Sequence, residues 1–293
     1  MEYEGMIYRP PVEANDILLQ AAIRCTHNKC TFCNMFRDKS FRLVEEEKII
    51  KNLEEAGRIA PWADRVFLVD GDAFALSADR LLRIAELIHH YLPKCRTITM
   101  YAAVRNIISK TNEELAALRA QGINDLYVGI ESGLDDVLAE VKKGHTVKEA
   151  EIQLNRLNQA GIRHCMMLMP GLAGKGRGIE SGIAAAKLAN KTKPFLIIPT
   201  TVGVFQGTEL YEKMLCGEFI EAGEKENLQE QKAFLENTEL PNTYYWSAHA
   251  LNSTPVTGFL NNQDKKKMLE KLEYNIEMID DNVFKQQFKR TSL

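Results

Sequence analysis

Three cysteines stand within nine residues, in Cys25-Thr26-His27-Asn28-Lys29-Cys30-Thr31-Phe32-Cys33, a C-x4-C-x2-C spacing. Thiolates are soft ligands suited to zinc and to iron–sulfur clusters. Three on one short loop can hold three irons of a [4Fe–4S] cluster and leave the fourth without a protein ligand. An open position on a metal is where a cofactor or substrate coordinates. His27 lies inside the triad, so Cys25, His27, Cys30 and Cys33 form an alternative four-ligand zinc set. Structural zinc usually draws two ligand pairs from separated spans, whereas these four would crowd one loop. The spacing therefore favours iron–sulfur over zinc, and either over unligated thiols.

Other unusual residues fall in short turns: Asp70-Gly71-Asp72, Glu131-Ser132-Gly133 and Pro170-Gly171-Leu172-Ala173-Gly174-Lys175-Gly176. Like the cysteines, each follows a short apolar, β-prone run. These runs lie at 16–24, 65–69, 97–101, 125–130, 164–169 and 195–202. Between them apolar residues recur at three- and four-residue spacing, as at Leu81, Ile84, Ala85, Ile88, Tyr91 and Leu92. Thr111 with Glu114, and Thr146 with Glu149, fit the capping-box spacing at helix starts. Strands alternating with helices imply crossover units and a parallel sheet, either a partial (β/α) barrel or an open doubly wound sheet. In both, ligands sit beyond the C-terminal ends of the strands, so the turns and the cysteine loop are expected on one rim. Past residue 205 the chain becomes turn-rich with strongly charged helical stretches. We expect a core over 1–205 and a helical C-terminal extension over 206–293 that packs on it.

Composition excludes several classes. With 293 residues, 45% hydrophobic and 26% charged, the chain is an ordinary globular one. Its net charge of −3 does not suggest a bulk nucleic-acid or membrane binder. No signal peptide and no spanning apolar run are apparent, so a cytoplasmic location is expected, and the six cysteines are read as ligands or packing groups before disulfides.

Several features have plainer readings. GLAGKGRG lacks the Ser or Thr that follows Gly-Lys in a phosphate loop, since Gly176 follows Lys175. Cys95, Cys165 and Cys216 are too scattered for a second cluster and read as packing or incidental thiols. Met166, Met167 and Met169 read as core or as pocket lining. His89-His90 and Asp135-Asp136 lie where a helix end and a helix start attract such charges.

The cysteine loop resembles that of the radical S-adenosyl-L-methionine (SAM) superfamily, with one residue more in the first gap than the usual C-x3-C-x2-C. The resemblance extends along nearly the whole chain. Asp70-Gly71-Asp72 stands at the place of the family's glycine-glycine-acid turn, and YVGIESGLDDVLAEVKKGHT (127–146) is similar to the branch containing oxygen-independent coproporphyrinogen oxidase. The resemblance implies an α/β fold, a partial (β/α)6 TIM-like barrel with a helical C-terminal extension. It implies Cys25, Cys30 and Cys33 as ligands of a [4Fe–4S] cluster, with SAM on the open iron. It further places Phe32 near the adenine, Asp70, Gly71 and Asp72 at the SAM amino group, Glu131 at the ribose, Lys143 at the carboxylate and Gly171 beside the adenine, with Ser132 also in the cofactor site. The activity implied is reductive cleavage of SAM to methionine and a 5′-deoxyadenosyl radical that abstracts hydrogen from an unidentified substrate, with flavodoxin or ferredoxin as electron donor. Methyl or group transfer within the superfamily, a non-catalytic zinc or iron–sulfur module, and a tetrapyrrole-linked role are the alternatives. Tyr101, Arg105, Tyr244, Tyr245, His249 and Asn252 are candidate substrate contacts. Of these, Tyr101 and Arg105 follow the third strand, and the TYYWSAHALN stretch is either a lid or the means by which the extension docks.

Overall fold

The computed structural model describes residues 1–36, 40–288 and 290. Two compact units divide the chain, the first formed by 1–28, 36–129 and 152–164, the second by 29–35, 130–151 and 165–293.

Along the chain the elements are β1 (Ile17–Leu19), β2 (Ala22–Ile23), β3 (Arg42–Leu43), α1 (Glu46–Ile59), β4 (Arg65–Leu68), α2 (Ala78–Tyr91), β5 (Thr97–Ala102), α3 (Val104–Ile108), α4 (Asn112–Ala120) and β6 (Leu126–Glu131). They continue with α5 (Asp135–Glu140), α6 (Val147–Gln159), β7 (His164–Leu168), α7 (Gly178–Thr192), β8 (Leu196–Pro199), α8 (Glu209–Leu215), α9 (Glu224–Glu236), β9 (Tyr244–Trp246), β10 (Thr257–Phe259), α10 (Asn262–Met278) and α11 (Asp281–Gln287). Each of the six apolar runs overlaps a strand.

In the first unit β1, β4, β5 and β6 pair in that order, all parallel, with Ile17 opposite Val66, Arg65 opposite Thr97 and Tyr101 opposite Tyr127. Val66, Phe67 and Leu68 are all fully buried, as strands covered on both faces require. The helices bury the stripe their spacing announces. Ile49, Leu53 and Ala56 of α1 are buried, as are Leu81, Ile84, Ala85 and Ile88 of α2. At α4 the capping box is reciprocal: Glu114 N–H donates to Thr111 Oγ1 at 3.1 Å and Thr111 N–H donates to Glu114 Oε2 at 2.7 Å. Thr146 and Glu149 do the same for α6.

At the opening residue of β4, Arg65 binds Glu13, Asp16 and Asp125, and Arg163 also binds Asp125. This network sits at the N-terminal end of its strand, the end that serves stability in parallel α/β folds. Burial and the adjacent Glu13 carboxylate push Asp16 up to about 8. The folded value therefore exceeds the unfolded one, and folding takes up a proton between them. The stability this contributes is complete below about pH 4 and lost as pH climbs towards 8. Asp16→Asn, which mimics the protonated acid, is expected to gain in melting temperature over the wild type between pH 5 and pH 8. A constant difference across that range would refute the assignment.

In the second unit β7 pairs with β8, and β8 with β9, both parallel, and β10 closes antiparallel on β9. The C-terminal extension is mostly helical, with α8 to α11, and within it Tyr244–Trp246 forms a short strand that adds to β8, with Leu196 opposite Tyr244. That pairing, and the packing of α9 on α7, place 206–293 in the same compact unit as 165–205. Among the described residues no helix is long and apolar enough to cross a membrane.

Candidate functional site

The antiparallel pair β2–β3, with Ala22 opposite Leu43, draws together the two ends of the segment that carries the cysteines. Cys25, Cys30 and Cys33 take part in no disulfide and are all half-buried. Backbone outliers mark the loop. Arg24 has φ 77° and Asn28 φ 46°, in the left-handed region that non-glycine residues seldom adopt. Asn28 Nδ2 donates to the Phe36 carbonyl at 2.7 Å and so fixes its own turn.

Within the first unit, the Asp70-Gly71-Asp72 turn lies directly against Cys25. A Cβ on Gly71 would come to 2.7 Å from the Cys25 N, Cα and Cβ atoms, so only glycine fits. Asp72 Oδ1 accepts the Thr26 N–H at 2.8 Å, and its Oδ2 accepts the Thr26 hydroxyl at 2.6 Å and the Arg105 guanidinium at 2.7 Å. Arg105 also lies 4.0 Å from the Cys25 Sγ. Asp70 takes φ 77° and its carboxyl accepts from Gln20 at 2.7 Å, while burial pushes its protonation upward.

Lys110, which is buried, pins the turn that follows. Its Nζ donates to the carbonyls of Phe74 at 2.7 Å and Leu76 at 3.0 Å and sits 4.4 Å from the Phe74 ring centre. Burial lowers it to about 8. Lys110→Met leaves those carbonyls without their donor and is expected to cost about 3 kcal/mol. Thermal melting checks this, and a melting temperature unchanged within a degree or so would contradict it.

Within the second unit, Glu131 ends β6 with φ 67°, and Lys143 Nζ donates to its Oε1 at 2.6 Å, with side chains only 12% and 11% exposed. Ser132 is buried, its Oγ accepting the Leu134 N–H at 3.2 Å. Phe32 packs in an apolar cluster with Val141, Leu172 and Val202, and Cys30 and Cys33 rest against the same cluster. The Thr31 N–H donates to the Val141 carbonyl at 3.0 Å and the Thr31 carbonyl accepts from Leu210 N at 2.9 Å, which fixes this end of the loop. Gly171, with φ 85°, has Asn227 Oδ1 at 2.6 Å from where a Cβ would stand.

The six candidate substrate contacts are placed differently from one another. Tyr101 is half-buried and edge-on to Phe67, ring centres 5.3 Å apart. Arg105 is committed to Asp72 and Thr26. Tyr244 meets Phe259 edge-on across β9 and β10 at 5.2 Å, and the buried Tyr245 hydroxyl donates to Gln231 Oε1 at 3.2 Å. His249 is half-buried, its Nδ1 accepting from Leu251 N at 3.2 Å, and burial lowers its protonation. Asn252 spends its whole amide on the fold, accepting from Thr201 N–H and hydroxyl at 2.8 and 2.9 Å and donating to the Pro199 and Ser247 carbonyls, both at 2.9 Å. Asn106, whose Nδ2 donates to Asp72 Oδ2 at 3.5 Å, and Lys110 hold Asp72 and its turn but belong to no motif that sequence reading could have caught. Among the described residues, no three His, Cys, Asp or Glu side chains are already gathered as a metal-ion site.

Comparison with known families matches residues 21–177, more than half of the chain, to the radical SAM superfamily. The chain belongs to the radical SAM superfamily. The superfamily's cofactors are a [4Fe–4S] cluster and SAM, and the matched segment contains all three loop cysteines, both acidic turns and the start of the glycine loop. The chain is 24% identical over 152 residues to the heme chaperone HemW of Bacillus subtilis (strain 168), an alignment covering 52% of this chain and 39% of that protein. It thus spans well under half the length of that relative. Among solved structures, methylornithine synthase (PylB) aligns at TM-score 0.55 and 16% identity, covering 89% of this chain and 81% of that one. Coproporphyrinogen III oxidase (HemN) from Escherichia coli aligns at TM-score 0.51 and 13% identity, covering 83% and 64%. These likenesses show the fold, the mostly parallel partial barrel of radical SAM proteins. The donor chemistry fits the cofactors: three partly exposed cysteines outside any disulfide stand on one loop, and Cys25 lies against a glycine that only a close backbone approach explains.

Proposed function

We propose that this radical SAM chain reductively cleaves SAM to form a 5′-deoxyadenosyl radical, with Cys25, Cys30 and Cys33 holding the [4Fe–4S] cluster. Held by Cys25, Cys30 and Cys33, the cluster would supply one electron for reductive cleavage of the SAM sulfonium to methionine and the radical that takes a hydrogen atom from substrate. The observation that carries the reading is the packing of the acidic turn on the first cysteine. Gly71 leaves room for nothing but the Cys25 backbone, and Asp72 grips Thr26, the residue after Cys25.

The chain's own residues would then act as follows. Asp72, supported by Asp70 and Gly71, receives the SAM amino group, in place of or beside the Arg105 guanidinium that now neutralises it. Arg105 also brings positive charge to within 4.0 Å of the Cys25 sulfur, which favours a more negative cluster state. Glu131 with Ser132 takes the ribose, Lys143 the carboxylate, and Phe32 and Gly171 flank the adenine. Left-handed backbone at Arg24, Asn28, Asp70 and Glu131 supports this, since four of the seven described non-glycine residues with positive φ fall in these loops and such strain gathers at working sites. The substrate is unassigned, and a flavodoxin or ferredoxin would deliver the electron.

The reading is tested by electron paramagnetic resonance of the anaerobically reconstituted, dithionite-reduced protein. Addition of SAM should change the cluster signal, because three cysteine ligands would leave one iron open to it. A signal indifferent to saturating SAM would count against it.

A further inference from the structure

The loop after β7 contains glycine at 171, 174, 176 and 178, and three of these hold φ values of 85°, 77° and 90°. Glycine-rich backbone loses more freedom on ordering than any other, so such a loop needs outside support to keep one shape. One helix of the C-terminal extension provides it. Glu230 Oε2 accepts the Gly171 N–H at 2.8 Å, and Glu226 Oε1 accepts the Gly176 N–H at 2.6 Å and the Gly178 N–H at 3.1 Å. Between these carboxylates Asn227 Oδ1 fills the space where a Gly171 side chain would stand. Gly178 opens α7, so Glu226 also satisfies an otherwise unpaired N–H at that helix start.

Glu230 is buried, and among the described residues no cation pairs with it. A carboxylate buried without a counter-charge is costly unless it accepts hydrogen bonds. Burial pushes it up to about 7, opposed by the Ser181 hydroxyl and the Gly171 N–H. Facing it are Glu226 on its own helix, Ser181 from α7 and the Tyr245 phenol from β9.

We infer that Glu226 and Glu230 of α9 are positioning residues that hold the 170–178 loop in the shape it presents to SAM, which makes the C-terminal extension a working part of the cofactor site. The inference rests on the proposed placement of Gly171 beside the adenine.

The test combines hydrogen exchange over 168–178 with SAM affinity, both on the full-length reconstituted protein. Glu226→Ala, at a half-exposed position, and Glu230→Leu should each speed exchange of this loop about tenfold, as loss of a charge-assisted hydrogen bond implies. Exchange in β4 and β5, and the iron content, should stay as in the wild type, while SAM binds several-fold more weakly. Glu230→Gln, which keeps an acceptor, should restore loop protection. Should Glu230→Leu fail to fold, Glu226→Ala carries the test alone. Unchanged loop exchange in Glu226→Ala overturns the inference, and so does faster exchange with undiminished SAM affinity. A wild type that binds no SAM at all defeats the proposed function instead, and the exchange data still decide whether α9 holds the loop.

Discussion

Cys30→Ala, reconstituted anaerobically with iron and sulfide, is expected to emerge colourless, its iron falling from about four per chain in the wild type to under about one. Two thiolates cannot retain a cluster that relies on three. The substitution removes one sulfur from a half-buried site at the edge of an apolar cluster, so the fold should lose little, on the order of 1 kcal/mol. Unaltered far-ultraviolet circular dichroism would establish that the loss is of ligation and not of folding. Cys25→Ala and Cys33→Ala should behave alike. Cys216→Ala and Cys95→Ala should keep full iron, the first thiol being exposed and remote in sequence, the second buried with its protonation pushed up to about 11. His27→Ala separates iron–sulfur from the zinc alternative, since the cluster should survive it. Full iron content in Cys30→Ala would contradict the assignment.

The second large effect concerns SAM itself. Glu131→Gln should assemble the cluster normally yet bind SAM about 10- to 100-fold more weakly, the consequence of losing about 1–3 kcal/mol of hydrogen bonding to a buried charged group. Glu131 is the cleaner probe of the two acids. Asp72 also ties down Thr26 and Arg105, so Asp72→Asn is expected to weaken SAM binding and loosen the cysteine loop together. Equilibrium binding to the reconstituted variants checks both. SAM affinity unchanged in Glu131→Gln would mean that the ribose lies elsewhere.

Much of this arrangement was legible in the residues alone, and the reasons are physical. Buried parallel strands are written as short apolar runs, so 65–69, 97–101, 125–130 and 164–169 fall on β4 to β7 within a residue or two. Capping boxes are local, and those at Thr111 and Thr146 form as their spacing predicts. The three thiols and the acidic and glycine turns were visible because few structural roles call for those residues. What stayed hidden depends on partners far along the chain. The Arg105–Asp72 pair joins residues 33 apart, and nothing near either one announces the other. Glu224, Asn227, Glu230 and Gln231 recur at helical spacing in a charged stretch that reads as a solvated face, yet all four are buried. Tyr244–Trp246 is too short for a strand signal of its own and becomes one by pairing with β8. Asn252 belongs to the TYYWSAHALN stretch, and the hydrogen bonds described for it, from Thr201 and to the Pro199 and Ser247 carbonyls, join residues about 50 apart or across a turn that no local pattern announces. Backbone conformation was equally invisible, and the left-handed Glu131 and Asp70 are among the features that set these loops apart.

The central claim is most directly tested by the products of SAM turnover. The reconstituted, dithionite-reduced protein, incubated with SAM under anaerobic conditions, should release 5′-deoxyadenosine and methionine in equal amounts, and Cys30→Ala should release neither. Formation of S-adenosylhomocysteine in their place, or intact SAM after prolonged incubation with a fully loaded and reduced cluster, would contradict the account.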